Sequence, residues 1–415
     1  MRTTIWFLLV ASSLPACKWT EFDDLQAQTW VTSTQKPNVK SSDWGVAIQR
    51  GGDGRLVVIG AGQPTYTELV FDAKGTSSLT PATAALGTQY GLSNLDPQPI
   101  LLASPGSPDD VALIVNGGSS IAVLAGTQGT LDLHQVAAQP STVDAATYLQ
   151  PPPRTDTGHV GEVPPLLPLV ASGDVVLGTF YANGPTTQPT CKLTDAGTPI
   201  GVRALGAVRV GASTFDDVLV WAATGKLYVY PGSVFHGCMT KEPTTSIDTG
   251  FLPGHGAQIL ALDATHVVLQ GHHDGDDDSL LQMYDVSVTP PVAVGAPIGP
   301  GGPVVFSKVR SAAILTTSSG ARYVVAGLPT GTVGTTIAGV VEIFPITPAG
   351  IDALAATPLF DAQPESSQSF GRAVAVMPFH GKQVIAVAAD NEIFVYFRAQ
   401  LADGTSLYDE TRQGR

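Results

Sequence analysis

The chain is poor in charge: Lys, Arg, Asp and Glu make up 13% of its 415 residues. No stretch combines an apolar stripe with charged pairs four residues apart, so long surface helices are excluded as the main building material. Basic residues are scarcer than acidic ones, 21 against 35, and form no stripe. A net charge of −14 without a basic face excludes the electrostatic footprint of a nucleic-acid binder and disfavours anionic partners. Cysteine occurs only three times, at Cys17, Cys191 and Cys238. The apolar run Ile5–Ala11 is too short to anchor the chain by crossing a bilayer. The sequence lacks G-x-S-x-G, H-E-x-x-H and the phosphate-binding P-loop, which removes the recognisable forms of hydrolase, zinc-protease and nucleotide chemistry. Catalysis without such a motif stays open.

What is present points to turns and strands. Gly (45) and Pro (32) are abundant, and short runs of Val, Ile, Leu and Thr recur between them. The stretch SFGRAVAVMPFHGKQVIAVAADNEIFVYF, Ser369 to Phe397, holds three such runs and two turns. DWGVAIQRGGDGRLVVIGAGQPTYTELVFD, Asp43 to Asp72, has the same plan. Trp44-Gly45 stands where Phe370-Gly371 stands, Leu56–Ile59 matches Val384–Val387, and Leu69-Val70-Phe71 matches Phe394-Val395-Tyr396. Weaker copies start at Pro99, Pro164, Val202, Ala257 and Val304. That makes seven copies, one per roughly 50 residues, and a unit of three or four strands must stack on its neighbours to bury both faces. The expectation is an all-β, seven-bladed β-propeller over 41–400. A sandwich would not recur in groups of three strands at this period, and β-helix coils are shorter. Ring closure is expected from a strand at Gln28–Thr34 in the 17–40 segment, or from Gly404–Glu410 in the 401–415 tail.

The two well-formed copies resemble FG-GAP repeats, the units of integrin-α-type propellers in bacterial surface proteins. The middle copies lack the Phe-Gly opening. The resemblance implies calcium in the turn between first and second strands, bound by a D-x-D-x-D-G-type loop. Those turns here read Gln49–Arg55, Ser104–Asp110, Val210–Asp217 and Pro378–Gln383, and none carries that ligand set. No cofactor is therefore expected. The weak metal candidates are Asp274, Asp276 and Asp278 in GHHDGDDDSL, with His272, His273 and Asp277 beside them; the competing reading is a solvated loop tip. His134, His159, His255, His266 and His380 read as loop or capped polar residues, and no catalytic residue is assigned.

The amino terminus, MRTTIWFLLVASSLPACKWTEFDD, resembles a lipoprotein signal peptide over 1–16, with Leu14-Pro15-Ala16-Cys17 as the lipobox. The resemblance implies lipidation of Cys17, and more than one acyl chain holds a protein stably on a membrane. The alternative is an ordinary signal peptide cut near Ala16. Lys18 in place of Asp implies, by the same resemblance, the outer membrane. Cys191 and Cys238 then remain as an even pair in an exported chain, a candidate disulfide. The sequence reading is a lipid-anchored, non-enzymatic binding, adhesion or protein-interaction scaffold of the bacterial cell envelope, with a protein or polysaccharide ligand. Its rivals are an enzyme acting on polysaccharide or another polymer at the propeller funnel, and a scaffold subunit of an outer-membrane assembly complex.

Overall fold

The computed structural model describes residues 30–35, 43–61, 65–79, 84–85, 100–103, 110–116, 121–127, 132–137, 144–149, 167–173, 175–178, 191–209, 216–231, 240–254, 256–272, 279–299, 308–361, 365 and 368–398. All regular elements among them are β-strands, so the all-β expectation holds.

The strands form small antiparallel sheets that follow one another along the chain. The first sheet orders Asp43–Arg50, Arg55–Ala61, Thr65–Phe71 and Ser77–Leu79, with Ala84–Ala85 on its third strand. The second orders Ile100–Ala103, Asp110–Asn116, Ile121–Thr127 and Asp132–Ala137. The third runs Ala145–Leu149, Leu167–Ser172, Val175–Gly178, Cys191–Asp195, and the fourth runs Val202–Val208, Asp217–Ala222, Lys226–Tyr230, Thr245–Asp248. The fifth runs Gln258–Ala261, His266–His272, Ser279–Asp285, Val292–Ile298. The sixth runs Ser311–Thr316, Arg322–Leu328, Val340–Thr347, and closes with Gly350–Ile351 and Thr357–Leu359. The seventh runs Ala373–Phe379, Lys382–Ala389, Glu392–Arg398, and its outer strand is Trp30–Gln35, from the start of the chain.

The fourth to seventh sheets are packed on both faces, and the period of two along a strand explains how. In Lys382–Ala389, Val384, Ala386 and Ala388 join a core with Trp44, Leu56 and Leu69 of the first sheet. Ile385, Val387 and Ala389 alternate with them and join a core with Tyr323, Val341 and Ile343 of the sixth. Asp217–Ala222 divides likewise: Val218, Val220 and Ala222 face the third sheet, Leu219 and Trp221 the fifth. A strand covered on both sides reads as a continuous apolar run, which is why the second strand of each copy stood out.

First strands approach one another in chain order. Asp43–Arg50 lies against Ile100–Ala103, that strand against Ala145–Leu149, and so on through Val202–Val208, Gln258–Ala261, Ser311–Thr316 and Ala373–Phe379. Ala373–Phe379 also lies against Asp43–Arg50. The aromatic-Gly pair opens these strands for a packing reason. Trp44 and Phe370 are fully buried against the sheet before their own. Gly45 (φ +86°) allows the approach: a β-carbon there would sit 3.1 Å from Ile393 and 3.2 Å from Ala388.

One reading of the repeats changes. The third copy, read from Pro164, begins earlier: its first strand is Ala145–Leu149, which pairs with Leu167–Ser172. Seventeen residues intervene, 150–166, and a five-residue strand so far from its partner gave no recognisable repeat signal.

Candidate functional site

The seventh sheet has two distinguishable ends. At one, hereafter the lower end, Trp30 pairs with Arg398 and Phe379 turns back to Lys382. At the upper end Gln35 pairs with Glu392, beside the turn at Asn391. Turns of neighbouring sheets interlock at the lower end. Gly54 N donates to Pro378 O (2.8 Å), and His380 N donates to Asp53 Oδ1 (2.8 Å). Thr316 N donates to Gln383 Oε1 (2.6 Å). At the upper end the connection 329–339 of the sixth sheet, which carries the hairpin Thr332–Val333/Thr336–Ile337, meets the seventh through Phe370 N and Ala338 O (2.9 Å).

Three polar arrangements stand out between sheets. Asp263 sits in the lower turn of the fifth sheet. Burial pushes its carboxyl up, but hydrogen bonds from Thr265 N, Thr265 Oγ1, Arg322 and His266 outweigh that and hold it well below the usual carboxylate range. Its Asp-Ala-Thr-His turn caps itself: Thr265 N and His266 N both donate to Oδ1 at 2.8 Å. Arg322 reaches it from the sixth sheet.

Glu242 plays a related part between the third and fourth sheets. Thr194 Oγ1 donates to it, as do Gly197 N (3.0 Å) and Ala196 N (2.8 Å), and these bonds hold its carboxyl low. Asp195, next to this turn, accepts from Lys226 Nζ (3.1 Å) and the Tyr228 hydroxyl (3.0 Å) of the fourth sheet and is lowered by them. Glu342 is the opposite case. Half-buried in the third strand of the sixth sheet, its carboxyl is raised to about 7 by burial, and it finds no hydrogen-bond partner among the described residues.

The sequence candidates fall out as follows. Cys17, Cys238, His273, Asp274, Asp276, Asp277 and Asp278 lie outside the described residues. So do Gly404–Glu410, His159 and His255. The acidic stretch does separate the second and third strands of the fifth sheet, and His272 ends the strand before it. All four turns read as first-to-second connections are such connections. In the first of them Asp53 accepts from His380, so its carboxylate serves a turn contact. Among the described residues no group of three or more His, Cys, Asp and Glu side chains has the geometry of a metal site. Cys191 is disulfide-bonded and starts the outer strand of the third sheet. Thr240–Lys241 pairs in parallel with Lys192–Leu193, which brings the chain two residues past position 238 alongside the neighbour of Cys191.

Comparison with known proteins adds no relative: no protein-family model matches the chain, and no curated protein matches it. The argument from here rests on the geometry. The acidic and basic groups in these clusters join strands and turns of neighbouring sheets, whose connections leave at two ends. Sequence reasoning missed the Asp263–Arg322 and Glu242 contacts. The D-x-T-H turn at Asp263 was the one visible signal, and it could not reveal a partner 59 residues away.

Proposed function

We propose that this chain is a lipid-anchored β-propeller of seven blades, similar to integrin-α-type repeats, that works on the bacterial envelope as a non-enzymatic binding or protein-interaction scaffold. The blade reading is supported by successive sheets sharing cores, by the approach of Ala373–Phe379 to Asp43–Arg50, and by the early strand Trp30–Gln35 completing the seventh sheet. Lipidation at Cys17 and outer-membrane placement rest on the sequence of the amino terminus.

The observation that carries the scaffold reading is the use of the polar groups. Asp53, Asp195, Glu242 and Asp263 all hold turns or neighbouring sheets. Rigid sheets with loops at their ends are the arrangement by which loops present a binding surface. Affinity isolation of the anchored protein from gently solubilised envelope, with mass spectrometry of what co-purifies, tests it. A specific envelope protein or glycan is expected, and its capture is expected to fall when the Thr332–Ile337 hairpin is replaced by a short Gly-Ser turn. Turnover of an envelope polysaccharide by the purified protein would instead establish the enzyme reading.

A further inference from the structure

We infer that the joint between the fifth and sixth sheets is a proton-operated hinge beneath the Thr332–Ile337 hairpin, tight while Glu342 holds its proton and loosened once Glu342 ionises. That the hairpin belongs to a binding surface rests on the scaffold reading above; the joint itself does not. Three separate observations support it.

The first is position. Along Val340–Thr347, Val341 and Ile343 face the seventh sheet and Phe344 the fifth, so Glu342 shares the face of Phe344. A carboxyl thus stands beside a core that includes Val268, Leu281, Met283 and Ile298. Glu342 pairs with Ala326, and Ala326 with Ala312. Across the joint Ala312 N donates to Gln258 Oε1 (3.2 Å), and Gln258 pairs with Gln270. The two rows are therefore level, with Glu342 on one wall of the joint and Gln270 on the other.

The second is hydrogen bonding. Gln270 is fully buried; its Nε2 donates to Val309 O (3.1 Å), while its Oε1 has no partner among the described residues. Glu342 has none among them either, and burial is what raises its carboxyl. A protonated carboxyl can donate, but an ionised one adds a second acceptor that only water is at hand to satisfy. The described charged and titratable side chains of the two walls are placed elsewhere. The fifth sheet has Asp263, His266 and Asp285 at its lower end, and His272 ends its second strand. The sixth has Arg322 and Asp352 at its lower end, and Lys308 and Arg310 flank Val309 ahead of its first strand. Neither Lys308, Arg310 nor Arg322 is ion-paired with Glu342.

The third is connection. Val340 pairs with Leu328 as the last pair of its ladder, and the chain above is closed by Gly331 N to Leu328 O and Gly339 N to Gly331 O, both 2.9 Å. Glu342 lies two residues below that base. On the other side Phe370 N donates to Ala338 O, which ties the connection to the seventh sheet. Water drawn to an ionised Glu342 therefore loosens the base of the hairpin from the fifth sheet while the seventh keeps its hold. The sign follows from a carboxyl raised to about 7. The joint is tightest below the ordinary glutamate value and loosens as pH rises from there to about 7.

The test is amide hydrogen exchange of the purified protein, without ligand, at pH 5 and pH 8, with rates corrected for intrinsic exchange. Amides of Ala326–Leu328 and Val340–Glu342 are expected to open about tenfold more often at pH 8, and Glu342→Gln to abolish the difference. Amides of Val384–Val387 in the seventh sheet are expected to show none. Exchange at the joint that does not depend on pH, or depends on it equally in Glu342→Gln, overturns the assignment to Glu342. A uniform rise over all sheets means that the whole fold loosens together and overturns the hinge. Because no ligand is present, neither result bears on the scaffold reading, which the capture experiment decides by itself.

Discussion

Asp263 and Glu342 are carboxylates that burial treats alike and neighbours do not. For Asp263 the hydrogen bonds win, so its folded pKa lies below its unfolded one. Such a group contributes stability above its unfolded value near 3.9, and that contribution is lost as pH falls through the folded value. Thermal melts at pH 7 and pH 3 are expected to differ more for the native protein than for Asp263→Asn; equal differences would show that the cluster does not support the fold. Glu342 has burial without compensation, with a carboxyl raised to about 7. Its contribution is fully present below the ordinary glutamate value and is lost as pH rises through about 7. Glu342→Gln is therefore expected to match the native midpoint at pH 4 and to exceed it at pH 8, by about 1–2 kcal/mol after allowance for partial exposure. A midpoint at pH 8 unchanged or lowered would mean the carboxylate is well solvated. At Cys191 the partner is expected to be Cys238, from the parallel register of Lys192 and Thr240. Peptide mapping without reduction should recover the 191–238 pair. The loop it closes would add roughly 4 kcal/mol in the chain-entropy model.

At the scale of elements, the strand Trp30–Gln35 joins two sheets. Its backbone pairs with Glu392–Arg398, while Thr32 Oγ1 donates to Gly75 O (3.1 Å) and Thr34 Oγ1 to Ser77 Oγ (2.7 Å) of the first sheet. Without it Glu392–Arg398 becomes an open edge. A chain starting after Gln35 is expected to melt at least about 5 °C lower, the shift that a loss of a few kcal/mol gives a large domain. A synthetic peptide of residues 28–36 should restore part of that loss, and an unchanged midpoint would deny the strand its closing role. This strand was legible beforehand because Trp30, Val31, Thr32 and Thr34 are residues that favour strands; its cover alternates, Thr32 and Thr34 half-buried between exposed Val31, Ser33 and Gln35, which the order of apolar and polar residues did not show. The second strands of the fourth to seventh sheets were legible for another reason, being covered on both faces. The aromatic-Gly openings at Trp44 and Phe370 were visible as a motif, although their purpose, a wedge against the preceding sheet, needed the packing. Ala145–Leu149 was not legible, because 17 residues part it from the strand it pairs with. Contacts such as Arg322 with Asp263 depend on stacking between sheets, which local sequence does not encode.

For the whole molecule the deciding fact is that its cores lie between sheets. Trp44, Phe379 and Phe397 share one core across the first and seventh sheets, while Phe344 belongs to another across the fifth and sixth. Any of the fourth to seventh sheets, detached from its neighbours, would lose burial on both faces. In an open stack of repeats, stability is a sum of nearest-neighbour terms and an end can fray by itself. In the proposed ring every sheet would have two neighbours, and opening one interface would weaken all. Calorimetry is accordingly expected to give one transition whose calorimetric and van't Hoff enthalpies agree. Phe379 is fully buried, with its ring 4.6 Å from that of Phe397, so Phe379→Ala should cost about 3–5 kcal/mol. Phe344, also fully buried, should cost a similar amount as Phe344→Ala, and both variants should move the same single transition. Two resolved transitions, one answering to Phe379→Ala and the other to Phe344→Ala, would mean that separate groups of sheets unfold independently, and the closed propeller would have to be abandoned.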